Sequence, residues 1–333
     1  MTRTSAVVAS APGKLMIAGE YAVLEGAEAI VAAVGRRAIA TLRPEGTDSS
    51  AIAPASGAIT ADPPAVRSPE VVATRRRVEA RLGVVLGELT VDTGALEQNG
   101  QKLGLGSSAA KAAATAAAIA LAHGVDLTLG AERERILADA LVGHRVIAPQ
   151  GSGADVAAAV LGGYLRFRKL GEGVETHVLT WPESLRIQVV WSRASVRTSD
   201  MLEATRGLAR RDPSRYRACM RSLSDQSEEL VSCILASELS GIIEGFHGYG
   251  TAMGALGKAA GARIIDDTCE RVRSLARAHG GAAKPSGAGG GDVTLAIFSS
   301  AEAADSFATQ CAHERFEVLS LELGVAGVRG EEQ

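Results

Sequence analysis

The amino-acid sequence predicts an α+β protein of two domains that share a cleft. At 333 residues the chain is longer than one hydrophobic core usually organises. Helical and strand-like segments follow one another without regular alternation, which argues for α+β layers. The stretch Leu103-Gly104-Leu105-Gly106-Ser107-Ser108-Ala109-Ala110 opens an alanine-rich helix, and the rest of the chain is read around it.

Taken in order, Ala6 to Ala9 and Lys14 to Ala18 read as short strands around Pro12-Gly13, and Ile30 to Leu42 continues as apolar strand material before Pro44. Gly46 to Val66 is rich in Ser, Ala, Pro, Gly and Thr and carries no period, so it reads as a surface excursion. Ser68-Pro69-Glu70 joins a cap, a first-turn proline and an acid at the positive helix end, and predicts a helix to about Gly83. Arg75, Arg76 and Arg77 on it read as a solvated face. Val84 to Thr93 resembles a strand, and Gly94 to Gly100 a polar loop. The alanine helix ends near Gly124, and Ala131 to Ile147 carries Ile136, Leu137, Ala140, Leu141 and His144 at helical spacing. Pro149-Gln150-Gly151-Ser152-Gly153 breaks that helix and delivers Asp155. Tyr164 to Arg168, Thr176 to Leu179 and Leu185 to Trp191 read as strands, with Trp181-Pro182 a domain junction. Ser199 to Ala278 is mainly helical. Lys284 to Asp292 is a second glycine-rich segment, followed by the strand Val293 to Phe298, a helix from Ala301 and a strand near Val318 to Leu323.

Composition narrows the function classes. A net charge of -3 leaves no basic footprint for nucleic acid. The run Ala112 to Ala122 is too short for a membrane span, and Ala6 to Ala9 too short for a signal peptide core. Cys219, Cys233, Cys269 and Cys311 are widely spaced, suggest neither a zinc site nor a disulfide framework, and fit a reducing cytoplasm. A cytoplasmic protein, monomer or homodimer, is expected.

The chemistry sits in the glycine loops. Gly104 and Gly106 let backbone approach a ligand, and the amides and dipole of the following helix favour phosphate. Ser107 and Ser108 can cap the helix, or one hydroxyl can ligate a magnesium ion carried in with nucleotide phosphates. Lys14 after a Pro-Gly turn, Asp155 after a third Gly/Ser loop and His144 each have an ordinary structural reading, as a solvated lysine, an N-cap and a satisfied helix histidine. The two glycine-rich loops, Lys14 and Asp155 taken together are hard to explain as separate accidents. A dinucleotide-binding reading also exists, because Gly104 to Ala109 fits Gly-x-Gly-x-x-Ala and Asp126 lies about 20 residues on. Glu97 to Lys102 is not the apolar strand that this reading needs.

Pro12-Gly13-Lys14 with Gly19-Glu20, Gly104 to Ala109, and Lys284-Pro285-Ser286-Gly287-Ala288-Gly289-Gly290-Gly291 resemble the three motifs of the GHMP kinases, in the family's order. Within that superfamily Gly19-Glu20-Tyr21, His144, Gly151 to Ala157 and Asp292 look like the phosphomevalonate kinase branch. Ala154 stands where that branch commonly has an aromatic, and Arg193 where a glycine is often seen. The resemblance implies an N-terminal domain of the ribosomal protein S5 domain 2-like fold, placed at 1–180, and a ferredoxin-like C-terminal domain, placed at 181–333, with the active site between them. It implies ATP and Mg2+ as cofactors and 5-phosphomevalonate as the acceptor, with mevalonate kinase or another small-molecule kinase as the alternative. Lys14 and Asp155 would be catalytic. Lys102, Gly104, Leu105, Gly106, Ser107, Ser108 and Ala109 would bind ATP, with Ser108 on magnesium. Glu20, Tyr21, His144, Ser152, Ser195, Arg197, Thr198, Lys284, Ser286, Gly287, Ala288 and Gly289, with Lys14, would contact the acceptor.

Overall fold

The computed structural model describes residues 5–43, 67–84, 87–171, 173–194 and 197–331. The excursion from Gly46 to Val66 and the candidate Ser195 therefore lie outside the described residues. In the first half the strands are β1 (Val7–Ala18), β2 (Ala29–Arg43), β3 (Glu88–Asp92), the short hairpin β4 (Glu97–Gln98) and β5 (Gln101–Lys102), β6 (Tyr164–Leu170) and β7 (Gly173–Leu179). The helices among them are α1 (Pro69–Leu82), α2 (Ser107–Ala122), α3 (Gly130–His144) and α4 (Ala154–Leu161). In the second half β8 (Arg186–Trp191) is followed by α5 (Thr198–Arg211), α6 (Pro213–Leu235), α7 (Leu239–Ala260) and α8 (Asp267–Ala278). The chain ends with β9 (Ala282–Pro285), β10 (Val293–Phe298), α9 (Ala301–His313), β11 (Glu317–Leu319) and β12 (Arg329–Gly330).

The larger sheet has the order β12-β1-β2-β6-β7, with β3 also on β2, and the smaller β11-β8-β10-β9. Among the described residues every strand pairing is antiparallel, so the parallel sheet of a dinucleotide-binding fold is absent. Asp126 instead closes a turn, accepting from the Thr128 N–H at 2.8 Å.

Pro12-Gly13 does not divide two strands, as the residue pattern suggested. β1 is continuous and takes up the proline with a shift in register between Pro12 and Gly13, which accommodates a residue that has no N–H to donate. α2 lies on β1 and β2, and every side chain from Ala112 to Ala120 is buried. Methyl groups let this helix approach the sheet closely, which explains the alanine run. Asp139 on α3, buried to 1 % exposure, accepts from Arg77 and Arg81 of α1, so that basic face is in part an anchor. One apolar cluster runs from Leu15 and Ala113 to Val189, Phe246 and Leu295, joining the two sheets through a common core. Ser286 helps to fix their contact, its hydroxyl accepting from the Met16 N–H at 2.9 Å and donating to the Met16 carbonyl at 3.1 Å. All four cysteines are free thiols, and among the described residues no helix is long and apolar enough to cross a membrane.

Candidate active site

A cavity of about 460 Å³ opens where β1, the start of α2, the 147–153 loop, α5 and the 287–288 segment meet. The glycine loop forms one end. Gly104 (φ 74°) and Gly106 (φ 77°) occupy left-handed conformations that favour glycine. A Cβ on Gly104 would come within 2.5 Å of Asp292, and one on Gly106 within 3.0 Å of the Lys14 stem. The loop is thus clasped between two motifs distant in sequence, and the Lys14 N–H holds it by donating to the Leu105 carbonyl at 2.8 Å. Gly106 is itself the N-cap of α2 and no side chain caps the helix, so the serines are not spent on capping. The first amides of α2 have no intrahelical acceptor, the arrangement that favours an anion at a helix start.

The Ser108 hydroxyl lies 3.2 Å from His144 Nε2, and the same nitrogen lies 3.5 Å from Asp155 Oδ2. The other Asp155 oxygen accepts from the Val156 N–H at 2.9 Å. Gly153 is the N-cap of α4, which places Asp155 in the first turn, where the helix dipole favours its charge. His144 ends α3 and is 5 % exposed. Helix α3, the loop and α4 therefore act as one bracket that brings Ser108 and Asp155 to the same ring nitrogen of His144.

Lys14 lines the cavity, and among the described residues no ion pair joins its ammonium group to Asp155. Asp292 is the other acid near it. Its backbone is left-handed (φ 53°) and its Oδ1 is buried without a partner. Burial raises its pKa, while the Lys14 charge pulls it back.

A buried ion pair lies under the cavity. Lys284 Nζ donates to Glu20 Oε1 and, at 2.8 Å, to the Pro285 carbonyl, and both side chains are at most 1 % exposed. Burial raises the Glu20 pKa and lowers that of Lys284, and their mutual attraction opposes both shifts. The Phe246 and Tyr249 rings lie 5.3 and 5.6 Å from the ammonium group. Tyr21, itself left-handed (φ 65°), donates through its hydroxyl to the Ala288 carbonyl. Residues 20–21 and 284–288 are in this way locked together.

Of the residues singled out in the sequence, Lys14, Glu20, Tyr21, Ser108, His144, Ser152, Asp155, Thr198, Gly287 and Ala288 line the cavity. Gly104 to Ser107 and Ala109 form the loop and helix start beside it. Lys284 and Ser286 are buried behind the wall, Gly289 backs onto Ile264, and Lys102 is exposed on β5. Arg197, the N-cap of α5, is exposed and outside the lining, whereas Arg206 on the same helix lines the cavity with Leu202 and Gln150. The sequence reading did not find Arg206, since one arginine on an amphipathic helix carries no local signal of function.

A glycine loop at a helix start, the arrangement that favours phosphate, beside a cavity holding a lysine and an aspartate on two antiparallel sheets, suits an α+β phosphate-handling protein. Residues 72–163 match the GHMP kinases N terminal domain and residues 250–317 the GHMP kinases C terminal domain. The chain belongs to the GHMP kinases, a family of phosphotransferases. It is 28% identical to the phosphomevalonate kinase of Streptomyces sp. (strain CL190), over 95% of this chain and 96% of that one. It is 35% identical to the mevalonate kinase of Aeropyrum pernix, over 48% of this chain and 50% of that one. The fold matches that of Streptococcus pneumoniae phosphomevalonate kinase in complex with phosphomevalonate and AMPPNP, with a TM-score of 0.79 and 18% identity over 95% of this chain and 99% of that one.

Proposed function

We propose that the protein transfers the γ-phosphoryl group of ATP to the 5-phosphate of phosphomevalonate, releasing ADP and 5-diphosphomevalonate. The observation that carries this reading is the His144 ring nitrogen that meets both Ser108, at the phosphate-binding helix start, and Asp155, at the cavity wall. Similarity to a phosphomevalonate kinase along 95% of the chain supports the acceptor. We take residues 1–180 as the ATP-binding domain and 181–333 as the second domain, with β12 returning to pair with β1.

A phosphate oxygen of the acceptor attacks the γ-phosphorus as the bond to the β-phosphate oxygen breaks. The acceptor phosphate has a second ionisation near pH 6, so at neutral pH it is largely a dianion and has little proton to lose. The difficulty is to bring polyanions together, and phosphoryl transfer is dominated by positioning and charge stabilisation. Gly104 to Ala109 bind the triphosphate with backbone amides, and Lys14 meets the developing charge between donor and acceptor. Asp155, held by His144 and by the Val156 N–H, orients the acceptor. Among the described residues no group of three or more His, Cys, Asp or Glu side chains is arranged to hold a metal. Ser108 and Asp155, which meet at the same His144 nitrogen, would hold a magnesium ion carried in with the nucleotide, and that ion would neutralise phosphate charge when bound.

The test is ADP release with ATP and magnesium, offered 5-phosphomevalonate, mevalonate and 5-diphosphomevalonate in parallel. Turnover confined to 5-phosphomevalonate is expected. Turnover on mevalonate instead would favour the second reading, mevalonate kinase, which the similarity to the Aeropyrum pernix enzyme supports.

A further inference from the structure

The charges of the cavity wall are unevenly committed. The lining carries Lys14, Glu20, His144, Asp155 and Arg206 as its ionisable side chains of Lys, Arg, His, Asp or Glu. Glu20 is paired with Lys284 beneath the wall, and Asp155 is held by His144. Arg206 differs from these two. Thr198, Leu202 and Arg206 repeat every fourth residue on α5, so one helix face follows the cavity for about 12 Å and ends in the guanidinium group. Arg206 Nη2 donates across the rim to Gln150 Oε1, in the loop that leads to Asp155. Its nearest acid, Glu203, is 3.9 Å away and 60% exposed, and the other oxygen of Glu203 is held by Arg210 at 2.6 Å. Water screens such a pair, so Arg206 retains a charge that it can give to a ligand.

Lys14 belongs to the glycine-loop end of the cavity, where its stem passes Gly106, and Arg206 belongs to the rim beside Gln150. Apolar side chains, among them Met16, Val31 and Leu202, line the wall as well. A wall with a cation at the loop end and another at the rim suits an acceptor charged at both ends. We propose that Arg206, steadied by Gln150, binds the C1 carboxylate of the acceptor and so decides which end of that molecule faces Lys14. The assignment rests on the proposed acceptor. A planar guanidinium matches a carboxylate with paired hydrogen bonds, which a lysine ammonium cannot reproduce.

The test compares 5-phosphomevalonate with its C1 amide, which keeps the phosphate and loses the distal charge, on the full-length wild type, Arg206→Gln and Arg206→Lys. Wild type is expected to prefer the acid, and Arg206→Gln to raise KM for the acid by roughly 10- to 100-fold, the range of a charge-assisted hydrogen bond. Its KM for ATP and its melting temperature should stay unchanged, its kcat should fall by much less than KM rises, and its preference for acid over amide should vanish. Arg206→Lys should recover part of that preference. An Arg206→Gln enzyme that keeps the full preference, or that loses equally on acid and amide, overturns the assignment while leaving the acceptor standing. Absence of wild-type turnover on the acid overturns the acceptor, and the carboxylate assignment with it.

Discussion

Asp155 can act in two ways that predict different pH behaviour. As a general base it would remove a proton from the acceptor, and its loss would be repaired as hydroxide rises. As an orienting carboxylate its loss would be insensitive to pH once the acceptor phosphate is a dianion, above about pH 6. The structure gives Asp155 a fixed posture between the His144 ring and the Val156 N–H. We therefore expect Asp155→Asn to lower kcat on the order of 10²-fold, the cost of a misplaced reacting group, by a factor that stays level from pH 6 to 9. Lys14→Met should cost roughly 10²- to 10³-fold, as for a lost charge-stabilising donor. Steady-state kinetics with ATP and 5-phosphomevalonate check both, and steep recovery of Asp155→Asn at high pH would make it a base. Residues of this kind were legible because Gly, Ser, Lys and Asp in short clusters have few structural reasons to occur together. Arg206 was not, since its place depends on how α5 is laid across the cavity. Lys284 was legible as a motif member, but its burial against Glu20 depends on two segments 264 positions apart.

Elements were legible where a local period or a boundary signal exists. The expected strand Val293 to Phe298 is β10, because a run of apolar residues between a glycine segment and Ser299-Ser300 has little else to be. Ser68-Pro69 starts α1, and Gly83 closes it in a left-handed cap, as proline and glycine at those positions dictate. β9 and β12 were missed, since strands of 4 and 2 residues are defined by their partners rather than by their own pattern. The small side chains of α2 predicted a helix without saying why they are small. Its packing against β1 and β2 gives the reason, and Ala116 is fully buried there. Ala116→Leu should then push α2 off the sheet and cost about 1–3 kcal/mol, read by urea denaturation. The same displacement shifts the helix start that carries Ser108, so the KM for ATP should rise with it.

At the scale of the whole molecule, the contact between the two sheets depends on a pair of charges that water does not reach. Lys284 of β9 holds Glu20 beside the first motif, and the Gly287 N–H approaches the same carboxylate oxygen at 3.4 Å. The second oxygen of Glu20 is buried without a partner, so the carboxylate depends heavily on Lys284. Removing one member strands the other, at a cost of about 3–5 kcal/mol, whereas removing both can be nearly neutral. Lys284→Met should therefore be strongly destabilised, and Glu20→Gln with Lys284→Met should regain much of the loss in urea denaturation. The pH dependence has a definite sign. Burial already holds the Glu20 pKa above its ordinary 4.5, and without the Lys284 charge it rises further. A carboxyl whose folded pKa exceeds its unfolded value stabilises the fold when protonated, and that contribution is lost as pH climbs from 4.5 through the folded value. Relative to wild type, Lys284→Met should therefore be least stable at neutral and alkaline pH and recover toward pH 5, while the double variant shows no such trend. A Lys284→Met deficit that is level with pH would mean that Glu20 finds water once its partner is gone, and that the seam between the sheets is held by its apolar core instead.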